Sequence, residues 1–293
     1  MSSPVTLHSE VDVSAPKPIT FVVAVNNREL FDQNFLASPC LRQSQDHQIL
    51  IRENFSSAAN AYNDAIDRSA NDLVVFCHQD IVLPEAWLSQ LQRALDHLAF
   101  ADPNWGVLGS YGTTQDGRGW GHVYSSGEDT IGEPLQRPVA VQTLDEIVLI
   151  LRRSSGLRFD DSLPHFHFYG TDICLRAADR GMRSYAISAF CIHNTHQTLV
   201  LPKEFYECCR HIKKVWKDCL PIQTTCVRIT KYNVPLYDRR LREFYLRNIR
   251  RKECGGTRVR DPLSLLERFA GKAYRSRPEI CGSRNTESTP STM

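Results

Sequence analysis

Residues Ile19-Thr20-Phe21-Val22-Val23-Ala24-Val25 form a near-continuous apolar run, rich in β-branched side chains, that stops at Asn26-Asn27. A strand without polar alternation has both faces buried, the signature of a mostly parallel sheet covered on either side. His47 to Arg52 supplies a second short strand and Leu73 to Cys77 another buried one. Between them, Ala58, Ala61, Tyr62, Ala65, Ile66 and Ala70 recur at three- and four-residue spacing over Ser56 to Ala70, the stripe of an amphipathic helix. Pro84 opens a further helix at its favoured first position, with Trp87, Leu88, Leu91, Leu95 and Leu98 on the core side. Strand–helix–strand–helix order predicts an α/β fold, an open sheet with helices on both faces. Ligands of such sheets sit beyond the carboxyl ends of the strands. Asn26-Asn27, Glu53-Asn54 and His78-Gln79-Asp80 are therefore the residues to watch.

The chain has 293 residues, 42 % of them hydrophobic and 23 % charged, which fits one large globular domain or a domain with an appendage. Residues 1–18 read as a loose arm, 19–220 as the α/β domain, 221–275 as a basic appendage and 276–293 as a disordered tail. The glycine-rich stretch Trp105 to Gly121 reads as long loops. Leu144 to Leu151 and Ser184 to Phe190 read as strands, Glu204 to Lys217 and the basic segment Arg239 to Lys252 as helices. Thr171 to Arg180 reads as a short helix with Thr171 as N-cap and Gly181 as its stop. The net charge of +2 hides a split: residues 1–200 carry 14 Lys+Arg against 23 Asp+Glu, residues 201–293 carry 21 against 10. A basic end of that kind suits an anionic partner.

No apolar run approaches the ~18 residues of a membrane span. The first residues lack the apolar core of a signal peptide. Ten cysteines include no Cys-x-x-Cys pair, and Cys77, Cys174 and Cys191 lie in apolar runs. Buried free thiols in a reducing, cytoplasmic setting are the expectation. Cys208-Cys209-x-His211 lacks metal-site spacing and reads as helical core; His165-x-His167 has no partner ligands nearby in sequence. The basic segment comes with no nucleic-acid module or stacking motif, which argues against such a partner. A solvated face is its default, an anionic membrane surface or lipid-diphosphate acceptor the alternative.

Three short motifs can carry chemistry. Phe76-Cys77-His78-Gln79-Asp80 ends a buried strand with a His and an Asp two residues apart, on one face of an extended chain, where both can meet one divalent ion. Asp80 as a turn cap beside a half-buried His78 is the plain alternative. In Tyr169-Gly170-Thr171-Asp172, the acid falls in the first turn of a helix, after a glycine that admits a ligand to the backbone. It is either a general base or a stabiliser of the helix start. Cys191-Ile192-His193-Asn194 puts a histidine directly after a strand, as a metal ligand or a structural residue.

In order and separation these motifs resemble the GT-A glycosyltransferases, in particular the inverting family-2-like group that includes the streptomycin-biosynthesis glycosyltransferase-like proteins. The resemblance spans residues 19–215: the first strand ending in Asn27, the helix Ala58 to Asn63, the strand ending at Asp80, the acidic segment Tyr169 to Gly181, and His193. Three departures stand out: His78 replaces the first Asp of an Asp-x-Asp motif, Thr171 replaces the Glu before the catalytic Asp, and Arg52-Glu53-Asn54 replaces an acidic cluster.

The resemblance implies a GT-A fold and inverting transfer of a sugar from a nucleotide-diphosphate-sugar to a hydroxyl of a glycan, lipid-linked or small-molecule acceptor. It implies Asp80, His193 and His78 as ligands of a divalent cation, Mn²⁺ or Mg²⁺, with imidazole tilting the choice toward Mn²⁺. Asp172 would be the base. Asn27, Glu53, Asn54 and Asn63 would serve the donor pocket, Trp120 and Tyr169 would stack on sugar faces, and Asp145-Glu146 would meet donor or acceptor hydroxyls. The expected location is cytoplasmic, with peripheral contact at the inner face of a membrane through the basic region. A nucleotide-sugar- or glycan-binding protein without catalysis is the alternative. A nucleotidyltransferase ranks last, because Asn26-Asn27-Arg28-Glu29 makes a poor phosphate loop.

Overall fold

The apolar run at Ile19–Ala24 (β1) becomes an inner strand of a seven-stranded sheet, buried from Ile19 to Val23. The structure, a computed structural model, describes residues 18–43, 46–252 and 254–270. The expected tail, and the N-terminal arm but for Pro18, lie outside the described residues. Beyond β1 the principal elements in chain order are α1 (Arg28–Gln33), β2 (Gln48–Arg52), α2 (Ala58–Arg68), β3 (Leu73–Cys77), β4 (Ile81–Val82), α3 (Trp87–Ala101), β5 (Val107–Gly109), β6 (Tyr111–Thr113), β7 (Gly119–Ser125), β8 (Asp129–Gly132), β9 (Val139–Val141), β10 (Thr143–Leu144), β11 (Val148–Arg152), α4 (Tyr169–Asp179), β12 (Ser184–Ala186), β13 (Cys191–His193), α5 (Lys203–Val215), α6 (Val234–Tyr245) and α7 (Ser264–Ala270).

The main sheet has the order β2-β1-β3-β11-β5-β12-β9. Its pairings are mixed: β1 runs parallel to β2 and β3, and β11 is antiparallel to both β3 and β5. The expected α/β fold is observed, and the reason is visible in the alternation of its strands. Val22, Val74 and Phe76 pack on one face with α2 and α4, whereas Phe21, Val23, Val75 and Cys77 pack on the other with α3. Helix α2 starts at the Ser57 cap, whose Oγ accepts the Asn60 N–H at 3.3 Å. A second sheet, β10-β6-β7-β13-β4 with β8 against β7, closes over the carboxyl end of the first.

Several expected elements differ: the strand expected over Leu144 to Leu151 is divided between β10 of the second sheet and β11 of the first, and α3 starts at Trp87, three residues after Pro84. The glycine-rich stretch 105–121 forms β5, β6 and the start of β7, not loops. Its glycines admit close strand contact: Gly121 has φ +128°, and a Cβ there would stand 2.1 Å from the Ser110 carbonyl oxygen. The single strand expected over Ser184 to Phe190 is only Ser184–Ala186. The chain then crosses to the second sheet, where β13 lies between β7 and β4. Every residue of the crossing except Ser188 is buried, so the apolar pattern carries no trace of the break.

The chain beyond residue 220 shares these cores. Ile222, Val227 and Ile229 join the cluster around α2 and α4. Leu265 and Phe269 of α7 pack on Val82, Tyr124, Phe190 and Ile192 of the second sheet. Cys77, Cys174 and Cys191 are buried free thiols. Among the described residues, no helix is long and apolar enough to cross a membrane.

Candidate functional site

Two segments converge at the carboxyl edge of the main sheet. Strand β3 is followed by His78 and, after one residue, Asp80. Strand β13, antiparallel to β4, brings His193 opposite Ile81. His193 Nε2 lies 3.3 Å from Asp80 Oδ1 and 3.4 Å from His78 Nδ1. One ligand atom from each of the three residues falls within 4.8 Å of the others. The spacing seen in sequence thus builds a candidate metal centre, with His193 supplied from a strand more than a hundred residues away.

The electrostatics suit a cation. Burial and the neighbouring His193 charge lower the His78 pKa to about 4, which leaves a neutral imidazole at neutral pH. Burial pushes the Asp80 carboxyl up, but the hydrogen bond and charge of His193, the charge of His78 and a bond from Arg258 outweigh it and hold the carboxyl well below its usual range. Arg258 Nη2 donates to Asp80 Oδ2 at 3.2 Å. No local signal in the sequence marks this arginine, which is 178 residues from its partner.

A cavity of about 590 Å³ opens beside the cluster, with His78, Asp145, Glu146, His167, Thr171 and His193 in its wall. Phe168 also lines it and takes a left-handed backbone (φ +64°) that turns the chain into α4. The helix therefore begins at Tyr169, two residues before the expected Thr171 cap, and presents its first N–H groups to the cavity. Glu146 Oε1 accepts the Gly170 N–H at 3.2 Å. Burial and the Asp145 charge raise the Glu146 pKa to about 8, against the lowering by these helix-start amides. Tyr169 links the two parts: its hydroxyl lies 3.0 Å from His78 Nε2 and donates to the Glu146 carbonyl at 3.2 Å.

Several expected site residues lie elsewhere. Asp172 is 0 % exposed and faces away from the cavity; its Oδ2 accepts from Arg176 Nε at 2.6 Å and its Oδ1 from Trp216 Nε1 at 2.8 Å. These two donors occupy both oxygens of the acid expected as base, which ties α4 to the end of α5. Asn63 is buried and spent on the segment after β11, donating to Phe159 O and Asp161 Oδ1 and accepting from Phe159 N. Trp120 packs half-buried against the α2/α4 core, outside the cavity wall. Tyr169 is buried among Tyr62 and Phe159, which leaves its hydroxyl, not its ring face, near the site.

Asn27, Glu53 and Asn54 stay at the sheet edge but outside that wall. Asn27 caps α1 through Leu30 N, and Glu53 forms a two-pronged exposed pair with Arg28 at 2.6 and 2.8 Å. Asn54 has φ +62°. Asp145 lines the cavity, with its oxygens on Ile147 N and Thr225 Oγ1.

The fold is thus a buried mixed sheet with a His-Asp-His cluster at its carboxyl edge, beside a cavity, and the cluster could hold a metal ion. Over residues 20–214 the chain matches the family described as "Glycosyltransferase like family" and belongs to it. It is 32 % identical over 140 residues to a Fuscovulum blasticum protein called "ATP synthase subunits region ORF 6", spanning 45 % of this chain and 55 % of that relative. Among solved structures it is similar to TarS of S. aureus (13 % identity, TM-score 0.43, 67 % of this chain and 64 % of that one). It is also similar to the mannosyltransferase PcManGT of Pyrobaculum calidifontis, solved with GDP-Man and Mn²⁺ (13 % identity, TM-score 0.43, 88 % and 76 %).

Proposed function

We propose that this protein transfers a sugar, with inversion, from a nucleotide-diphosphate-sugar to a hydroxyl acceptor, and that His78, Asp80 and His193 hold a divalent cation on the donor diphosphate. The observation that carries the reading is the convergence of these three ligands at the carboxyl edge of the sheet, beside a cavity of about 590 Å³. Two imidazoles and one carboxylate are a borderline donor set, better matched to Mn²⁺ than to Mg²⁺, which prefers oxygen ligands. When bound, such a cation offsets the charge that builds on the departing diphosphate. Arg258, already on Asp80, adds a permanent positive charge at the same edge. Exposed Asn27 and Asn54 and half-buried Glu53, at the ends of β1 and β2, are proposed to meet the nucleoside.

A thermal-shift screen tests this. Mn²⁺ with a cognate nucleotide-sugar raises Tm more than either alone, because a ligand selective for the folded state stabilises it by linkage. Asp80→Ala abolishes the joint effect. A joint effect that survives Asp80→Ala contradicts the metal assignment. A second reading, donor binding without transfer, draws on the sealed Asp172; donor binding with no turnover across acceptors would favour it.

The basic end is proposed to rest on an anionic membrane surface. Val234, Tyr237, Leu241 and Phe244 form an exposed stripe along α6, at 61–70 % relative exposure. Arg240, Arg242, Arg247, Arg250, Arg251 and Lys252 on and after the same helix are exposed too. Apolar side chains flanked by arginines are the pattern of a helix lying in a lipid interface.

A further inference from the structure

Transfer to a hydroxyl needs a base, and both oxygens of Asp172, the acid expected to supply it, are taken by Arg176 and Trp216. We infer that Glu146 is the general base of this site. The inference rests on the glycosyl-transfer reading.

Glu146 sits on the short connection between β10 and β11, next to the strand that carries the metal cluster. Ile147 O accepts the His78 N–H at 3.2 Å, and β11 pairs with β3 from Val148 onward. The Tyr169 hydroxyl touches both the His78 ring and the Glu146 carbonyl. The Glu146 backbone carbonyl is therefore two hydrogen bonds from His78, and Glu146 lies in the wall of the same cavity.

Its side chain is held in place. Oε1 accepts the Gly170 N–H from the first turn of α4. A Cβ at position 170 would stand 2.9 Å from Glu146 Cγ, so glycine there is what lets the carboxyl lie against the helix start. A carboxylate has about four acceptor positions; the amides of Gly170, Tyr169 and Phe168 orient this one without using up all four. Two other acids are worse placed. Asp172 is fully buried under Arg176 and Trp216, and Asp145 has one oxygen on Ile147 N and the other on Thr225 Oγ1.

In the step, taken by the ionised form of Glu146, which gains as pH rises toward about 8, the acceptor O–H proton passes to a carboxylate oxygen as the acceptor oxygen bonds to the anomeric carbon. The bond from that carbon to the diphosphate oxygen breaks on the opposite side, and its electron pair leaves with the nucleoside diphosphate. A positioned base of this kind is worth about 10²–10⁴-fold.

Glu146→Gln keeps the shape and the acceptor for Gly170 N–H but cannot take a proton. Donor binding by calorimetry, with Mn²⁺ present, is expected to stay within about threefold while kcat falls about 10²–10⁴-fold. Glu146→Asp, read as a second variant, keeps a measurable kcat and moves the pH at which turnover is half-maximal. A Glu146→Gln enzyme that is folded by circular dichroism and turns over within threefold of wild type overturns the inference. So does loss of donor binding in parallel with kcat in both variants, which would make Glu146 part of the donor pocket. Wild-type enzyme that binds donors and transfers to no acceptor overturns the glycosyl-transfer reading itself, and is recognised before any variant is made.

Discussion

At the scale of single residues, the structure turns on which carboxylates are reachable and which are sealed. Asp172 and Glu146 lie on either side of the start of α4, with opposite fates. Asp172 receives two donors; an asparagine has one acceptor oxygen, so Asp172→Asn leaves Arg176 or Trp216 facing an NH₂ group. The expected cost is about 1–3 kcal/mol in urea unfolding, with donor binding unchanged. Glu146 differs because its proton is held more tightly in the folded chain than in the unfolded one, with a pKa near 8 against 4.5. The stability this contributes is complete below about pH 4.5 and lost as pH rises to about 8. Glutamine does not titrate. The Tm of Glu146→Gln minus that of wild type is therefore expected to grow from pH 5 to pH 8 and level off above; a flat difference would show that the group is not so perturbed. The metal-cluster residues were legible because strand ends and a two-residue spacing point His78 and Asp80 the same way. The direction of Asp172 was not, since a helix position becomes inward or outward only once Trp216 and the α4 start are placed.

At the scale of elements, the strands and helices with clear periodicity appear where the sequence puts them, within a residue or two for β1, β2, β3 and α2 and three residues late for the start of α3. Elements built on glycine or on unbroken apolar runs do not. Strands β5 to β7 use glycines for close contact, which reads as loop chemistry, and β12 and β13 share one apolar segment split between two sheets. The most consequential unread element is α7. Its Phe269 ring lies 5.1 Å from Tyr124 and 5.6 Å from Phe190, centroid to centroid, directly behind the strand that bears His193. Phe269→Ala is expected to destabilise by about 3 kcal/mol in chemical unfolding and to weaken Mn²⁺ binding, as β13 loses its backing. A variant with full stability and unchanged Mn²⁺ affinity would show that α7 is dispensable to the site.

At the scale of the whole molecule, the acidic first two thirds and the basic last third meet at the site, where Arg258 reaches back to Asp80. The basic part also carries the exposed stripe of α6. Binding to vesicles containing about 30 % anionic lipid is expected in co-sedimentation at low salt. It should weaken as the Debye length falls from ~10 Å at 0.1 M to ~3 Å at 1 M, and be lost in Leu241→Asp/Phe244→Asp. Equal binding to neutral vesicles would remove the charge argument. The central claim, however, is that this is a metal-assisted sugar-transfer site, and it is tested most directly by following nucleoside diphosphate release from a panel of nucleotide-sugars with acceptors and Mn²⁺. Turnover of at least one donor that falls about 100-fold or more with a chelator and in Asp80→Ala is the expected result. Turnover that is indifferent to both, or none from any donor in the wild-type protein, would contradict it.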